Sequence, residues 1–425
     1  MVDFGEILIS VIAFVSLYTA IFFIITLLEH RNNLVKKARL RKYPSVCIIV
    51  PCYNEEKTLA KTLDSLLALD YPKNKLDIIV VDDGSTDNTY AVARKYVPKG
   101  VRVFKKKNGG KYTALNLGLS KTKAEFVGAL DADSFVHPQA LKRMLPYFDN
   151  PRVMAVTPSL KVYKPKSLLQ RIQMVEYAVG IFFRKMFALV GSIHVTPGPF
   201  SIYRKAFFDK HGPYRKAYMT EDIEIALRMQ HHNYIIENAV DAYVYTISPK
   251  SFKSLYYQRR RWYNGFLRNI LDYKKLFSKK HGNLGVYVLP LAFISIGLVI
   301  ISFSYTIYKT IDGLWNNYLY AKAINFDIFR FDFSPDLFMI NINTAFILGV
   351  ITIITGIVMI VIAMKLAKEK QKILLSYILY VVSYWVLFSF WWLVVFFYKV
   401  TGKKVSWNPG KDSCGSAPTK SLSHS

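Results

Sequence analysis

The chain has 425 residues, with 57 Lys and Arg against 29 Asp and Glu for a formal net charge of +28, and it is 52% hydrophobic and 15% aromatic. A disordered basic tail is excluded, because such tails lack the apolar residues that build a core; one single core is excluded too, since cores stop growing at about 250 to 300 residues. The basic excess alone would suggest nucleic acid, yet the apolar residues gather in four long uncharged runs, and a lipid bilayer accounts for both features. No nucleic-acid partner is expected.

The first run, Ile7 to Leu28, would be about 33 Å long as a helix, enough to cross a hydrocarbon core of about 30 Å. Asp3 and Glu6 ahead of it and Leu28-Glu29-His30 behind it do not fit a cleaved signal peptide, so residues 1–43 read as a membrane anchor with a basic segment. Further runs at Leu284 to Tyr308, Leu337 to Met364 and Ile373 to Tyr398 make 281–398 a block of three spans. Arg31, Lys36, Lys37, Arg39, Arg41 and Lys42 after the first run, and Lys365, Lys368, Lys370 and Lys372 between the last two, belong on the cytoplasmic side. A multi-pass protein of the plasma membrane is expected, with its middle domain cytoplasmic and a loop from Lys309 to Asp336 outside. The 399–425 tail carries Lys399, Lys403, Lys404, Lys411 and Lys420 against Asp412. Span parity puts it outside and its charge puts it inside, so its side stays open. Cys47, Cys52 and Cys414 are too few and too oddly spaced for a disulfide framework, and the first two are expected to pack in a core.

From 44 to 248, strand-like runs alternate with amphipathic stretches: Val46 to Pro51, Asp77 to Val81, Val101 to Phe104, Phe126 to Leu130 and Val153 to Thr157. This βαβ series predicts an α/β domain with a mostly parallel sheet and helices on both faces, whose ligands bind beyond the carboxyl ends of strands. The first strand runs into Pro51-Cys52-Tyr53-Asn54-Glu55 and the second into Asp82-Asp83-Gly84. Acidic residues there can hydrogen-bond a nucleotide, although Asp-Gly is equally an ordinary turn. Asn108-Gly109-Gly110-Lys111 opens a helix whose free N–H groups, glycines and lysine suit an anion; a plain loop is the alternative.

Asp131-Ala132-Asp133 follows the fourth strand, and carboxylates two apart on an extended chain can face one divalent cation, Mg²⁺ or Mn²⁺. Thr220-Glu221-Asp222 reads as a helix start with Thr220 as its cap and a helix dipole that favours ionised Asp222, or as acidic residues that merely complement that dipole. Residues 167–190 are amphipathic but too charged to span, having Arg171, Glu176, Arg184 and Lys185, and are expected to lie on the cytoplasmic leaflet. In the 249–280 segment, helical spacing puts Gln258, Arg261 and Trp262 on one face, suited to a sugar diphosphate or, as a basic amphipathic helix, to anionic lipid.

In this order the motifs resemble the membrane-bound, cellulose synthase-like branch of the family 2 glycosyltransferases: Asp-Asp-Gly, then Lys111 with Ala114 and Asn116, the DxD of Asp131 and Asp133, the TED of Thr220 to Asp222, and the QxxRW of Gln258, Arg261 and Trp262. The resemblance covers about Pro44 to Leu276 and the membrane layout. It implies a GT-A fold, with inverting transfer from a nucleotide-diphosphate sugar. Carried over, Pro51, Tyr53, Glu55 and Asp83 hold the base and its surroundings, and Lys111, Gln258 and Arg261 the diphosphate. Asp131 holds the donor's ribose or sugar and, with Asp133, the metal. Asp222 is the general base, and Gly198, Pro199, Glu221 and Trp262 lie on the acceptor side. Pro197 to Arg204 resembles hyaluronan and chitooligosaccharide synthases, whereas the RWxxG of Arg261, Trp262 and Gly265 is closer to cellulose and poly-N-acetylglucosamine synthases. The first expectation is therefore a synthase that extends a β-linked polysaccharide, UDP-sugar favoured; the rival is single addition, for example of mannose from GDP-mannose, to a lipid-linked glycan.

Overall fold

The computed structural model of the chain describes residues 3–36, 40, 42–323, 344–369 and 374–402. Lys37, Arg39, Arg41, Lys370, Lys372, Ile373, Cys414, residues 324–343 and the tail from 403 onward lie outside them. The strands are β1 (Val46–Cys52), β2 (Leu76–Asp82), β3 (Val101–Lys105), β4 (Phe126–Ala129), β5 (Ser134–Val136), β6 (Val153–Val162), β7 (Ile202–Arg204) and β8 (Ile235–Thr246). The helices are α1 (Phe4–Glu29), α2 (Leu59–Leu67), α3 (Thr89–Arg94), α4 (Lys111–Ser120), α5 (Ala140–Met144), α6 (Leu168–Leu189), α7 (Lys205–His211), α8 (Glu221–His231), α9 (Phe252–Asp272), α10 (Leu289–Ala323), α11 (Thr344–Leu366) and α12 (Leu374–Val400).

All of β1 is buried, as a central strand covered on both faces must be. Its side chains alternate: Val46, Ile48, Val50 and Cys52 join one apolar cluster with Leu59, Leu63 and Leu66 of α2, and Cys47 and Ile49 join another with Leu115 of α4 and Ile225 and Met229 of α8. Each fully buried Leu or Ile contributes about 1.5–3 kcal/mol, so these two layers hold the sheet. Both Cys47 and Cys52 are free thiols in these clusters. Gly118 lets α4 lie directly on β1, because a Cβ there would stand 2.5 Å from the Ile49 side chain. That contact sets Lys111, the first residue of α4, above the strand ends.

The sheet has eight strands in the order β3-β2-β1-β4-β7-β6-β8-β5. The β1–β2, β2–β3, β1–β4 and β6–β8 pairs are parallel, while β7 runs antiparallel to β4 and β6, and β5 antiparallel to β8. The five expected strands are all present. The three others escaped the reading: β5 and β7 are three residues long, too short for alternation to register. Strand β6 also continues past Thr157, with a register shift before Ser159 that lets it stay on β8 to Val162.

Among the described residues, four helices are long and apolar enough to cross a membrane: Phe4–Glu29, Leu284–Ala323, Thr344–Leu366 and Leu375–Val400. The second corrects the expected loop. Helix continues through Lys309 to Ala323 instead of ending at Tyr308, and its 40 residues would be about 60 Å long, twice the hydrocarbon thickness. Helix α6 starts at a capping box, in which Ser167 Oγ accepts the Gln170 N–H and Gln170 Oε1 accepts the Ser167 N–H. It lies between sheet and spans, packing Met174, Ala178 and Ile181 with Val162 and Val240, and Phe182 and Met186 with Phe23 and Ala363.

Candidate active site

Tyr53 and Glu55 follow β1, Asp83 follows β2, and Asp131 and Asp133 follow β4, so three adjacent parallel strands deliver their acidic residues to one edge. Beyond that edge is a cavity of about 1290 Å³. Pro51, Tyr53, Glu55, Asp83, Lys111, Asp131, Asp133, Gly198, Pro199, Glu221, Asp222, Gln258, Arg261 and Trp262 all line it. The residues expected to hold donor, acceptor, metal or proton are thus brought to one place. Asn116 is not; its side chain bonds the backbone of Tyr214 in both directions, at 2.9 Å each, and ties α4 to the loop before α8.

Local partners differ from the simple reading. The N–H groups of Gly109 and Gly110 point at the Asp83 carboxylate, 3.1 and 2.8 Å away, and Lys106 Nζ lies 2.6 Å from it. The anion at this glycine turn is therefore the protein's own Asp83, and Lys106, which the sequence did not single out, neutralises it. Lys111 likewise is not a free cation: its Nζ sits 2.6 Å from Asp131 Oδ1 and 2.9 Å from Glu221 Oε1. Gly198 leaves room for this cluster, since a Cβ there would stand 3.0 Å from Lys111 Nζ.

Electrostatics separate the carboxylates. Burial opposes ionisation of Glu221, but the adjacent Lys111 ammonium outweighs it and holds Glu221 below its usual value. For Asp222, burial, with repulsion from Glu221, outweighs the attraction of Lys111 and Arg261 and pushes it up to about 6. The helix-dipole expectation is thereby reversed in sign. Asp222 Oδ1 accepts the Ile223 N–H at 3.0 Å, and its carbonyl accepts both the N–H and the hydroxyl of Thr196, fixing the start of α8. Asp133 is pushed up to about 7 by burial next to Asp131 and Glu55. Thr220 does not cap α8 with its side chain, as expected from sequence. Its hydroxyl instead donates to the Ala217 carbonyl and accepts from Asn269 Nδ2, both at 2.9 Å.

Helix α9 closes the cavity on the side of the long apolar helices. Arg259 pairs with Glu176 of α6 at 2.6 Å and stacks 4.3 Å from the Trp262 ring, and Arg260 reaches Tyr398 of α12 at 2.8 Å. Arg261 donates to the Met219 carbonyl at 3.0 Å, just before α8. Gln258 Oε1 is buried with no hydrogen-bond partner among the described residues, an acceptor facing a cavity that a ligand would satisfy. The cavity then passes Phe183 and Phe187 of α6 to Ala292, Ser295 and Ile296 of α10 and Phe388 and Trp392 of α12.

This fold and edge are those of a GT-A nucleotide-sugar transferase. Residues 47–212 match the model of the family described as Glycosyl transferase family 2. The poly-β-1,6-N-acetyl-D-glucosamine synthase of Staphylococcus epidermidis is 31% identical over 342 residues, covering 77% of this chain and 81% of that protein. The enzyme of the same name from Staphylococcus aureus strain COL is 31% identical over 244 residues, 56% of this chain and 58% of the other. Among solved structures, a mannosyltransferase from Pyrobaculum calidifontis in complex with GDP-Man and Mn²⁺ superposes with a TM-score of 0.60 at 17% identity, covering 94% of this chain and 98% of that one, a likeness of fold. The chain belongs to glycosyltransferase family 2. It is an inverting glycosyltransferase of nucleotide sugars, with helices long and apolar enough to cross a membrane.

Proposed function

We propose that the protein extends a β-linked N-acetylglucosamine polysaccharide from a UDP-sugar donor at the cytoplasmic face of the plasma membrane and passes the product between its own spans. The observation that carries this reading is the single cavity that begins at the strand ends, runs by Asp222 and continues among α10 and α12. Within that inner part Trp392 Nε1 is buried without a partner among the described residues, a donor that a sugar hydroxyl would satisfy. The names of the two staphylococcal relatives support the sugar, in agreement with the RWxxG cue.

In the proposed reaction, Tyr53, Glu55 and Asp83 surround the base, and Gln258 and Arg261 reach the diphosphate. Asp222 Oδ2, left free by the Ile223 bond on Oδ1, takes the proton of the acceptor hydroxyl as its oxygen attacks the anomeric carbon opposite the departing diphosphate. Trp262 stacks on the acceptor ring. The donor set fits a divalent cation: no group of three His, Cys, Asp or Glu is gathered among the described residues, yet Asp133 stands in a like-charged cluster that a cation would relieve. Mg²⁺ or Mn²⁺ on Asp133, with the edge of Asp131 that Lys111 leaves open, would supply positive charge at the leaving diphosphate.

Chelation with EDTA should accordingly abolish transfer, and Asp133→Asn should lose the metal-dependent part of nucleotide affinity while melting at or above the parent, since burial raises this carboxyl. Calorimetry that finds UDP binding with Mn²⁺ unchanged in that variant would remove Asp133 from the metal site.

A further inference from the structure

Helix α6 contains one glycine, Gly180, well inside its 22 residues. Glycine destabilises a helix interior relative to alanine, so its presence asks for a local reason. Packing supplies none, because a Cβ at 180 would meet no atom within 4 Å, unlike at 118 or 265. The space belongs to the catalytic cavity, whose wall on this side includes Tyr177, Gly180, Phe183, Arg184 and Phe187, beside the Glu176 that pairs with Arg259. These positions are three and four apart and form one stripe along the helix.

Arg184 lies one turn beyond Gly180. Among the described residues its guanidinium makes no hydrogen bond and no ion pair. Burial lowers its pKa to about 10, so it is charged at neutral pH, with Asp222 as the carboxylate that attracts it. The side chain is partly exposed and opens on the cavity, so its donors are open to a ligand that brings acceptors. The aromatic residues of the stripe offer flat apolar faces of the kind that a pyranose ring covers.

Resting on the polysaccharide reading above, we infer that this stripe is the acceptor site: the growing end of the glycan crosses α6 at Gly180, where the missing side chain leaves room for a sugar ring, and Arg184 donates to its hydroxyl or acetamido oxygens. The ring hydroxyl to be glycosylated then faces Asp222, which lines the same cavity. Sugar selectivity on the acceptor side is set by the depth of the gap at 180 and by the oxygens within reach of Arg184.

The test uses the full chain in lipid nanodiscs, UDP-N-acetylglucosamine or whichever nucleotide sugar the parent uses, and an N-acetylglucosamine oligomer as acceptor. Arg184→Met should raise the KM for the oligomer about tenfold or more, the size of one charge-assisted hydrogen bond, and leave UDP affinity within about twofold. Arg184→Lys should recover part of the loss. An unchanged KM overturns the assignment, and so does an equal loss of UDP affinity, which would put Arg184 on the donor diphosphate. Gly180→Leu should melt at or above the parent and make shorter products. Products of parental length overturn the gap, as does a lowered melting temperature, which would mean that protein fills the space. Elongation by the parent tests the substrate reading; only the variant-to-parent ratios test the α6 assignment.

Discussion

Asp222→Asn should transfer sugar at least about a hundredfold more slowly than the parent, at the low end of what a positioned proton acceptor supplies, while binding UDP as before. Its stability should move the other way. The carboxyl's ordinary value of 3.8 is raised to about 6 in the folded chain, mainly by burial. A raised folded value means that its contribution favours folding below the unfolded value and is lost as pH rises through the folded one. At pH 7.5 the ionised, buried carboxylate therefore opposes folding, and an uncharged amide should melt at or above the parental temperature. That advantage should vanish near pH 4. The same value sets the rate profile: transfer by the parent should rise as pH climbs through about 6, where the base loses its proton. A variant with normal turnover and a lowered melting point would assign Asp222 to the helix end and not to the chemistry.

Gly265→Ala should reduce transfer about a hundredfold as well, through position instead of chemistry. A Cβ at 265 would stand 2.3 Å from Thr220 Oγ1 and 2.5 Å from Cγ2, so α9 and the start of α8 cannot both keep their places. Asn269, one turn on, donates to the same hydroxyl and to the Gly265 carbonyl, and locks the contact further. Overfilling a packed contact costs about 1–3 kcal/mol, and the displaced helix carries Gln258, Arg261 and Trp262 away from Asp222. A shift of about 1 Å at a reacting centre costs about a hundredfold. Thr220→Ala in the same chain makes room and should restore part of the activity, a coupling that a double-mutant cycle reads directly. Parental turnover in Gly265→Ala alone would show that this contact does not align the two helices.

Much of this site could be read before folding was considered, because the fold puts it at strand ends and helix starts, which local patterns mark. Asp83, Asp131, Asp133 and Asp222 all sit at such boundaries and all reach the cavity. What the sequence did not reveal were the partners. Gly109 and Gly110 mark an anion site from local geometry alone, but that the anion is Asp83 depends on a neighbouring strand. Thr220 has the right residue type for a cap, yet its hydroxyl is claimed by Asn269 from a helix about fifty positions away. The sign of the Asp222 shift was missed for the same reason: burial and Glu221 outweigh the dipole, and burial is a property of the assembled domain. Arg184 read only as a charge too many for a span; its place in the cavity wall appears once α6 is seated against β6, β8 and the spans.

Product length tests the central claim most directly. The full chain, reconstituted in vesicles with its catalytic domain facing the medium, would be given labelled UDP-N-acetylglucosamine and Mn²⁺, and its products sized and digested with glycosidases of known linkage. A ladder of β-linked N-acetylglucosamine chains, part of it protected inside the vesicles, is the predicted result. A single labelled sugar on a lipid, or transfer from GDP-mannose with none from UDP-N-acetylglucosamine, would contradict the account.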